Sequence, residues 1–303
     1  MSGRMLWTAV VVAALGSGLA ADPQGPPAGG AAPAPPAGGN PTRSGGIIVP
    51  TIALQPGLNP VPNYAIVAPE LPPPAIPEGF TAIFNGRDLS GWHVSKTARH
   101  GYTPDFRVQH GVILGTQQPY GQGGILLTDR SYRDFELTLE VKPDWGCDSG
   151  IFFRTTENGT AYQITMDYLG NGVGSLGRLI GEGGVSMGGG RGGRGAGGGR
   201  GGAPAPGAPA ATPAAAGGAV TDVTTVWKRE DWNLVRVRVQ GDAPHVQVWV
   251  NGQLVTDQQD TANHAPLGMV EGPIALQVHG GTDRWAHGGF WRWRNIGIRE
   301  LAR

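Results

Sequence analysis

The sequence is poor in cysteine and in charge, and it has no long apolar run. A single cysteine, Cys147, in 303 residues rules out an intrachain disulfide framework and a multi-cysteine zinc site, and it reads as a small core side chain. Charged residues make up 15% of the chain, and 23 Lys+Arg balance 23 Asp+Glu, which argues against a nucleic-acid partner and against a charged solvating tail. No stretch approaches the ~20 apolar residues that a membrane-spanning helix needs, and no segment carries a capped amphipathic helical repeat. HExxH, GxSxG, P-loop and zinc-ligand spacings are missing too. Metalloprotease, serine-hydrolase and nucleotide-binding readings therefore lose their support.

What is abundant is glycine and proline, 53 and 26 residues, without a collagen repeat. They concentrate in two places. Residues 1–21 combine an early Arg4, an apolar run from Leu6 to Leu15 and small residues before Asp22, the pattern of a secretory signal peptide; an uncleaved anchor is the competing reading. No cysteine follows the run, so a lipoprotein is excluded. The expectation is export, to a periplasm or the cell exterior, with no membrane span in the mature form. Residues 22–77, rich in Pro, Gly and Ala, read as a linker. A second low-complexity stretch, 188–218, holds three arginines among glycines and reads as a disordered insertion rather than as an RNA-binding segment. The domain expected is 78–303.

Eight of the nine tryptophans lie in that domain, and its pattern is that of strands. Residues 134–142 alternate Phe135, Leu137, Leu139 and Val141 with Glu136, Thr138, Glu140 and Lys142. Residues 234–240 and 245–250 do the same with valines. Asn251-Gly252 between two such runs predicts a type I′ hairpin. About a dozen short strands with Gly-rich turns predict an all-β fold, an antiparallel two-sheet jelly-roll sandwich. Parity points Phe135, Leu137, Leu139, Ile151, Phe153, Ile164, Val237, Val248, Leu276 and Ile298 into the core.

Three strands carry polar groups on the opposite parity: Arg154 in 150–155, Gln163 and Asp167 in 161–167, and Gln277 and His279 in 274–279. Were these strands neighbours, those side chains would line one surface, suited with Trp145, Tyr168 or Trp285 to sugar hydroxyls and pyranose faces. Simpler readings stand beside these. Asp167 could be a strand-end carboxylate paired with Arg154, His279 a hydrogen-bonded strand residue, Asp148 an Asx-turn residue and Glu182 an exposed loop acid.

The order of segments resembles the 3-keto-disaccharide hydrolase domain family, which has a concanavalin-like β-sandwich. The segments are GFTAIFNGRDLSGWHV (79–94), FRVQHGVILG (106–115), DFELTLEVKP (134–143), DSGIFFRT (148–155), AYQITMDY (161–168), the Asp231-Trp232-Asn233 strand start, VWVNGQLVTD (248–257), GPIALQVHGG (272–281) and RNIGIREL (294–301). The departures are the 188–218 insertion and Gln163, where many relatives would have Glu; the latter argues against a carboxylate pair centred there. The resemblance implies cleavage of glycosides already oxidised to a ketone at C3. Such a ketone acidifies the C2 hydrogen, a base removes it, and the C1 leaving group departs by elimination. Asp167 and His279 would supply base and acid, and Arg154 would steady the enolate oxygen. Gln163, Gln277, Trp145, Asp148, Tyr168, Glu182 and Trp285 would bind an oligosaccharide or glycoside. No redox cofactor is required in this chain. A divalent metal near Asp167 and His279 has room in this scheme, but the sequence shows no ligand set, and it leaves the oligomeric state open. Two rivals remain: a carbohydrate-binding module without catalysis, and a two-carboxylate glycosidase drawing on Asp148, Asp167 or Glu182.

Overall fold

A computed structural model gives the fold and describes residues 63–64, 67–69, 71–101, 104–166, 176–187 and 220–302. All of these fall within one unit spanning 44–303. The leader-like residues 1–21, most of the expected linker, Asp167, Tyr168 and the 188–218 insertion lie outside the described residues.

Fourteen strands are seen among the described residues. They are β1 (Thr81–Ala82), β2 (Trp92–Val94), β3 (Asp105–Gln109), β4 (Val112–Thr116), β5 (Gly124–Tyr132), β6 (Phe135–Pro143) and β7 (Gly150–Phe153). There follow β8 (Ala161–Thr165), β9 (Leu179–Glu182), β10 (Asn233–Gln240), β11 (His245–Val250), β12 (Gln253–Gln259), β13 (Gly272–Val278) and β14 (Trp291–Glu300). They form two antiparallel sheets. The larger runs β12-β11-β10-β6-β14-β4-β3, with β1 also on β14; the smaller runs β2-β5-β13-β7-β8-β9. The expected all-β, two-sheet antiparallel sandwich is what the chain forms. No helix among the described residues is long and apolar enough to cross a membrane.

Local chemistry accounts for these elements. In β10 the valines are buried and the intervening Leu234, Arg236, Arg238 and Gln240 are not, as period two demands of a strand with one face on a core. The β11–β12 hairpin turns on Asn251 and Gly252, both at positive φ, 49° and 85°. That is the type I′ geometry the Asn-Gly pair favours, because neither residue pays the steric cost other side chains would. The ten residues expected inside all belong to the cluster between the sheets. Burying a side chain of this size stabilises by about 1.5–3 kcal/mol. Cys147 is fully buried, and burial pushes its thiol up to about 12, so it is packing rather than a nucleophile.

Two smaller clusters sit on the outer faces. On the larger sheet, Val67 packs with Val112, Leu114 and Phe290, alongside Tyr64 and Trp232. Gln109 Nε2 donates to the Tyr64 and Val67 carbonyls, and Arg294 Nη1 donates to that of Leu71 at 2.8 Å. The end of the stretch expected as linker is therefore a strap on the domain, and the fold starts before residue 78. On the smaller sheet, Ile125, Leu127, Phe152, Ala161 and Ala275 are capped by Ala98. That second face carries the site.

Candidate active site

The floor of the site is built by β13, β7 and β8, which are neighbours in the smaller sheet. Ile274, Leu276, Val278, Ile151, Phe153, Tyr162 and Ile164 turn into the core. The opposite parity therefore sends Gln277 and Gln163 outward with Ala275, Phe152 and Ala161. Gln163 Nε2 donates to Gln277 Oε1 at 3.2 Å, reaching across β7 over Gly150. A Cβ on Gly150 would collide with the Gln163 amide, so this close approach needs glycine.

A loop following β2 closes over this floor. Ser95 N–H donates to Ile125 O, Arg99 N–H to Asn158 O at 3.1 Å, and Gly123 N–H to His100 O at 2.8 Å, while Ala98 plugs the apolar cluster. His100 is thereby set 5.8 Å, centroid to centroid, from both Phe152 and His279. Gln277 Oε1 is already an acceptor, so its Nε2 is the donor toward His100, whose ring nitrogens lie 3.2 and 3.3 Å away. Burial, then the nearness of His279 and Arg99, pulls the His100 pKa well below 6.5. His100 is thus a neutral ring, accepting from Gln277 on one nitrogen and protonated on the other. Its Nε2 stands 3.8 Å from Glu182 Oε1.

Glu182 ends β9 and pairs with Ala161, so it shares the outer face. Arg99 Nη1 is 3.7 Å from its carboxylate. Burial raises the Glu182 pKa, opposed by the Arg99 charge, by His279 whenever its ring is protonated, and by the Gly183 N–H.

His279 follows β13 directly. Its Nδ1 lies 2.5 Å from the Gly280 carbonyl. A carbonyl can only accept, so Nδ1 carries the proton of the neutral ring and Nε2 keeps a lone pair. That Nε2 is 3.8 Å from Asp148 Oδ2, and the same oxygen accepts from Arg284 Nη1 at 2.9 Å. Gln117 fixes the turn, donating to the His279 and Gly281 carbonyls. The face thus assembles a proton acceptor, a neutral imidazole, two amides and, in Glu182, a partly buried acid. That is the equipment of acid–base chemistry on a polyhydroxylated ligand.

Gln163, Gln277, His279, Asp148 and Glu182 were all candidates from sequence, and all belong to this network. Arg154 does not. β7 ends at Phe153, and Arg154 turns to φ 48°. The strand parity that would have aimed it at the site is lost there. Its guanidinium is fully buried at the Gly272 end of β13, opposite His279, and donates to the Gly241 and Asp242 carbonyls at 2.6 Å each. Trp285 is likewise no sugar platform: it belongs to the core, and its Nε1–H donates to Gly289 O. Trp145 stays partly exposed, with the Arg229 guanidinium stacked 3.6 Å from its ring centroid. Asp167 and Tyr168 lie outside the described residues. Among the described residues, no group of three or more His, Cys, Asp or Glu side chains is placed to hold a metal ion. Sequence reasoning missed His100, Arg99 and Arg284, which sit in loops without periodicity; only the Arg-His pair inside a short small-residue loop hinted at the first two.

A family model described as the 3-keto-alpha-glucoside-1,2-lyase-like domain matches residues 79–299. The chain belongs to that family. Every residue of the network lies within the matched span. A 3-keto-disaccharide hydrolase of Bacteroides thetaiotaomicron is 30% identical over 94 residues, which cover 28% of this chain and 30% of that relative's length. Among solved structures, a candidate glycosyl hydrolase from Parabacteroides distasonis aligns over 74% of this chain and 95% of its own, at 17% identity and a TM-score of 0.47. A Bacillus licheniformis beta-glucanase aligns over 74% and 99%, at 14% identity and 0.42. The 3-keto-alpha-glucoside-1,2-lyase-like family places the chain among carbohydrate-active domains.

Proposed function

We propose that this domain cleaves glycosides whose C3 hydroxyl has been oxidised to a ketone, with His279 as the base at C2. The observation that carries the reading is the fixed His279 tautomer, its Nε2 lone pair presented beside the Gln163–Gln277–His100 row. Asp148 stands ready to stabilise the imidazolium formed on proton abstraction. The Gln163 and Gln277 amides replace Arg154 as donors for the C3 oxygen while charge develops there. Asp167 enters only through its parity with Gln163 and Thr165. The leader-like residues 1–21 support export.

Incubation with a 3-keto-glycoside and its unoxidised parent, side by side, tests the reading. Only the keto form should be cleaved, and His279→Gln should slow cleavage roughly 100- to 10,000-fold, as loss of a general base does. Binding of unoxidised glycans with turnover of neither substrate would point instead to a carbohydrate-binding module.

A further inference from the structure

We infer that Glu182 is the second proton-transfer residue of this site, the acid that protonates the departing C1 oxygen, with His100 as its positioning residue. The inference rests on the 3-keto-glycoside reading above and assigns the protonation of the leaving group to a residue separate from the base at C2. The proton that His279 takes from C2 stays on its imidazolium and is the one it returns to C2 in the hydration step. Departure of a sugar or alkyl alkoxide without a proton is slow, so a separate donor is needed.

The geometry singles out Glu182 among the described residues. Asp148 Oδ2 accepts from Arg284 Nη1 at 2.9 Å and stands 3.8 Å from His279 Nε2, where it serves the imidazolium. Glu182 sits on the same outer face as the two glutamines, with Arg99 Nη1 3.7 Å and His100 Nε2 3.8 Å from its Oε1. His100 touches both halves of the network, its ring 5.8 Å from that of His279 and its Nε2 3.8 Å from Glu182 Oε1. With Gln277 donating to one nitrogen, the protonated nitrogen is available to the carboxyl group, orienting it without adding a charge. Burial of Glu182, which favours its protonated form, is consistent with an acid.

The step balances. His279 Nε2 takes the C2 proton, the C2–H electron pair becomes the C1–C2 double bond through the C3 enolate, and the C1–O pair leaves with the aglycone oxygen. Glu182 gives that oxygen its proton and becomes a carboxylate. In hydration, the Glu182 carboxylate takes a proton from water as its oxygen adds to C1, and His279 returns a proton to C2.

The test compares two 3-keto-glycosides, one with a sugar or methyl aglycone and one with a nitrophenyl aglycone that leaves without protonation. Glu182→Gln should slow the first roughly 100-fold or more and the second less than about tenfold. C2–H exchange with deuterated buffer should persist in the variant, which also shows that the site is folded. Glu182→Asp should recover part of the lost rate on the poor leaving group. Equal losses on both aglycones, or loss of exchange together with cleavage, would overturn the assignment to Glu182. Absence of both exchange and cleavage in the unmodified protein would instead overturn the 3-keto-glycoside reading and the inference with it.

Discussion

His279 and His100 stand 5.8 Å apart, yet their surroundings prepare them for different work. A backbone carbonyl fixes the proton of His279, whereas His100 is kept neutral by burial and by its neighbours. The second effect should be visible in stability. In the unfolded chain a histidine titrates near 6.5. The folded pKa of His100 is depressed, so its contribution is complete above the unfolded value and is lost as pH falls below it. Urea unfolding of the protein and of His100→Gln, between about pH 7 and about pH 5, should show the difference between them shrinking toward acid, by at most about 1.4 kcal/mol per pH unit. Parallel curves would contradict a buried neutral His100. At this scale the sequence disclosed residues whose placement follows strand parity, such as Gln163, Gln277 and His279. It could not disclose His100, whose position depends on where a loop lands. It misassigned Arg154 because one residue at positive φ ends the alternation.

Among elements, β6 shows how far alternation carries. Its inward residues were legible, and Leu139 is fully buried. Alternation alone would leave its outward residues solvated, and removing Glu140 would then cost little. Instead Glu140 is 9% exposed and accepts from Arg294 Nε at 2.9 Å, with the same arginine held to the strap at Leu71. Leu139→Ala should cost about 2–5 kcal/mol through the cavity it leaves. Glu140→Ala should cost about 1–3 kcal/mol, because it strands a largely buried guanidinium. Chemical denaturation of the two variants checks both values, and a neutral Glu140→Ala would mean that the strap does not shield the outer face. The strands β2 and β9 escaped sequence reading because three or four residues are too few to show a period.

For the whole molecule, the sandwich and its core followed from composition and period, but the domain edge did not. A Pro-rich segment looks like a spacer until a fold offers it a face, and here Val67 is buried among Val112, Leu114 and Phe290. A chain starting at Glu78 should be less stable than one starting at Pro62 by about 2–4 kcal/mol, from lost apolar burial and the hydrogen bonds of Gln109 and Arg294. Matching denaturation midpoints would restore the linker reading. The central claim concerns proton abstraction by the outer face of the smaller sheet. It is tested most directly by following the C2 hydrogen of a 3-keto-glycoside in deuterated buffer, with the intact protein and with His279→Gln. The account predicts rapid exchange with the intact protein, reduced roughly 100- to 10,000-fold in the variant. Exchange that proceeds equally well without the imidazole would contradict it.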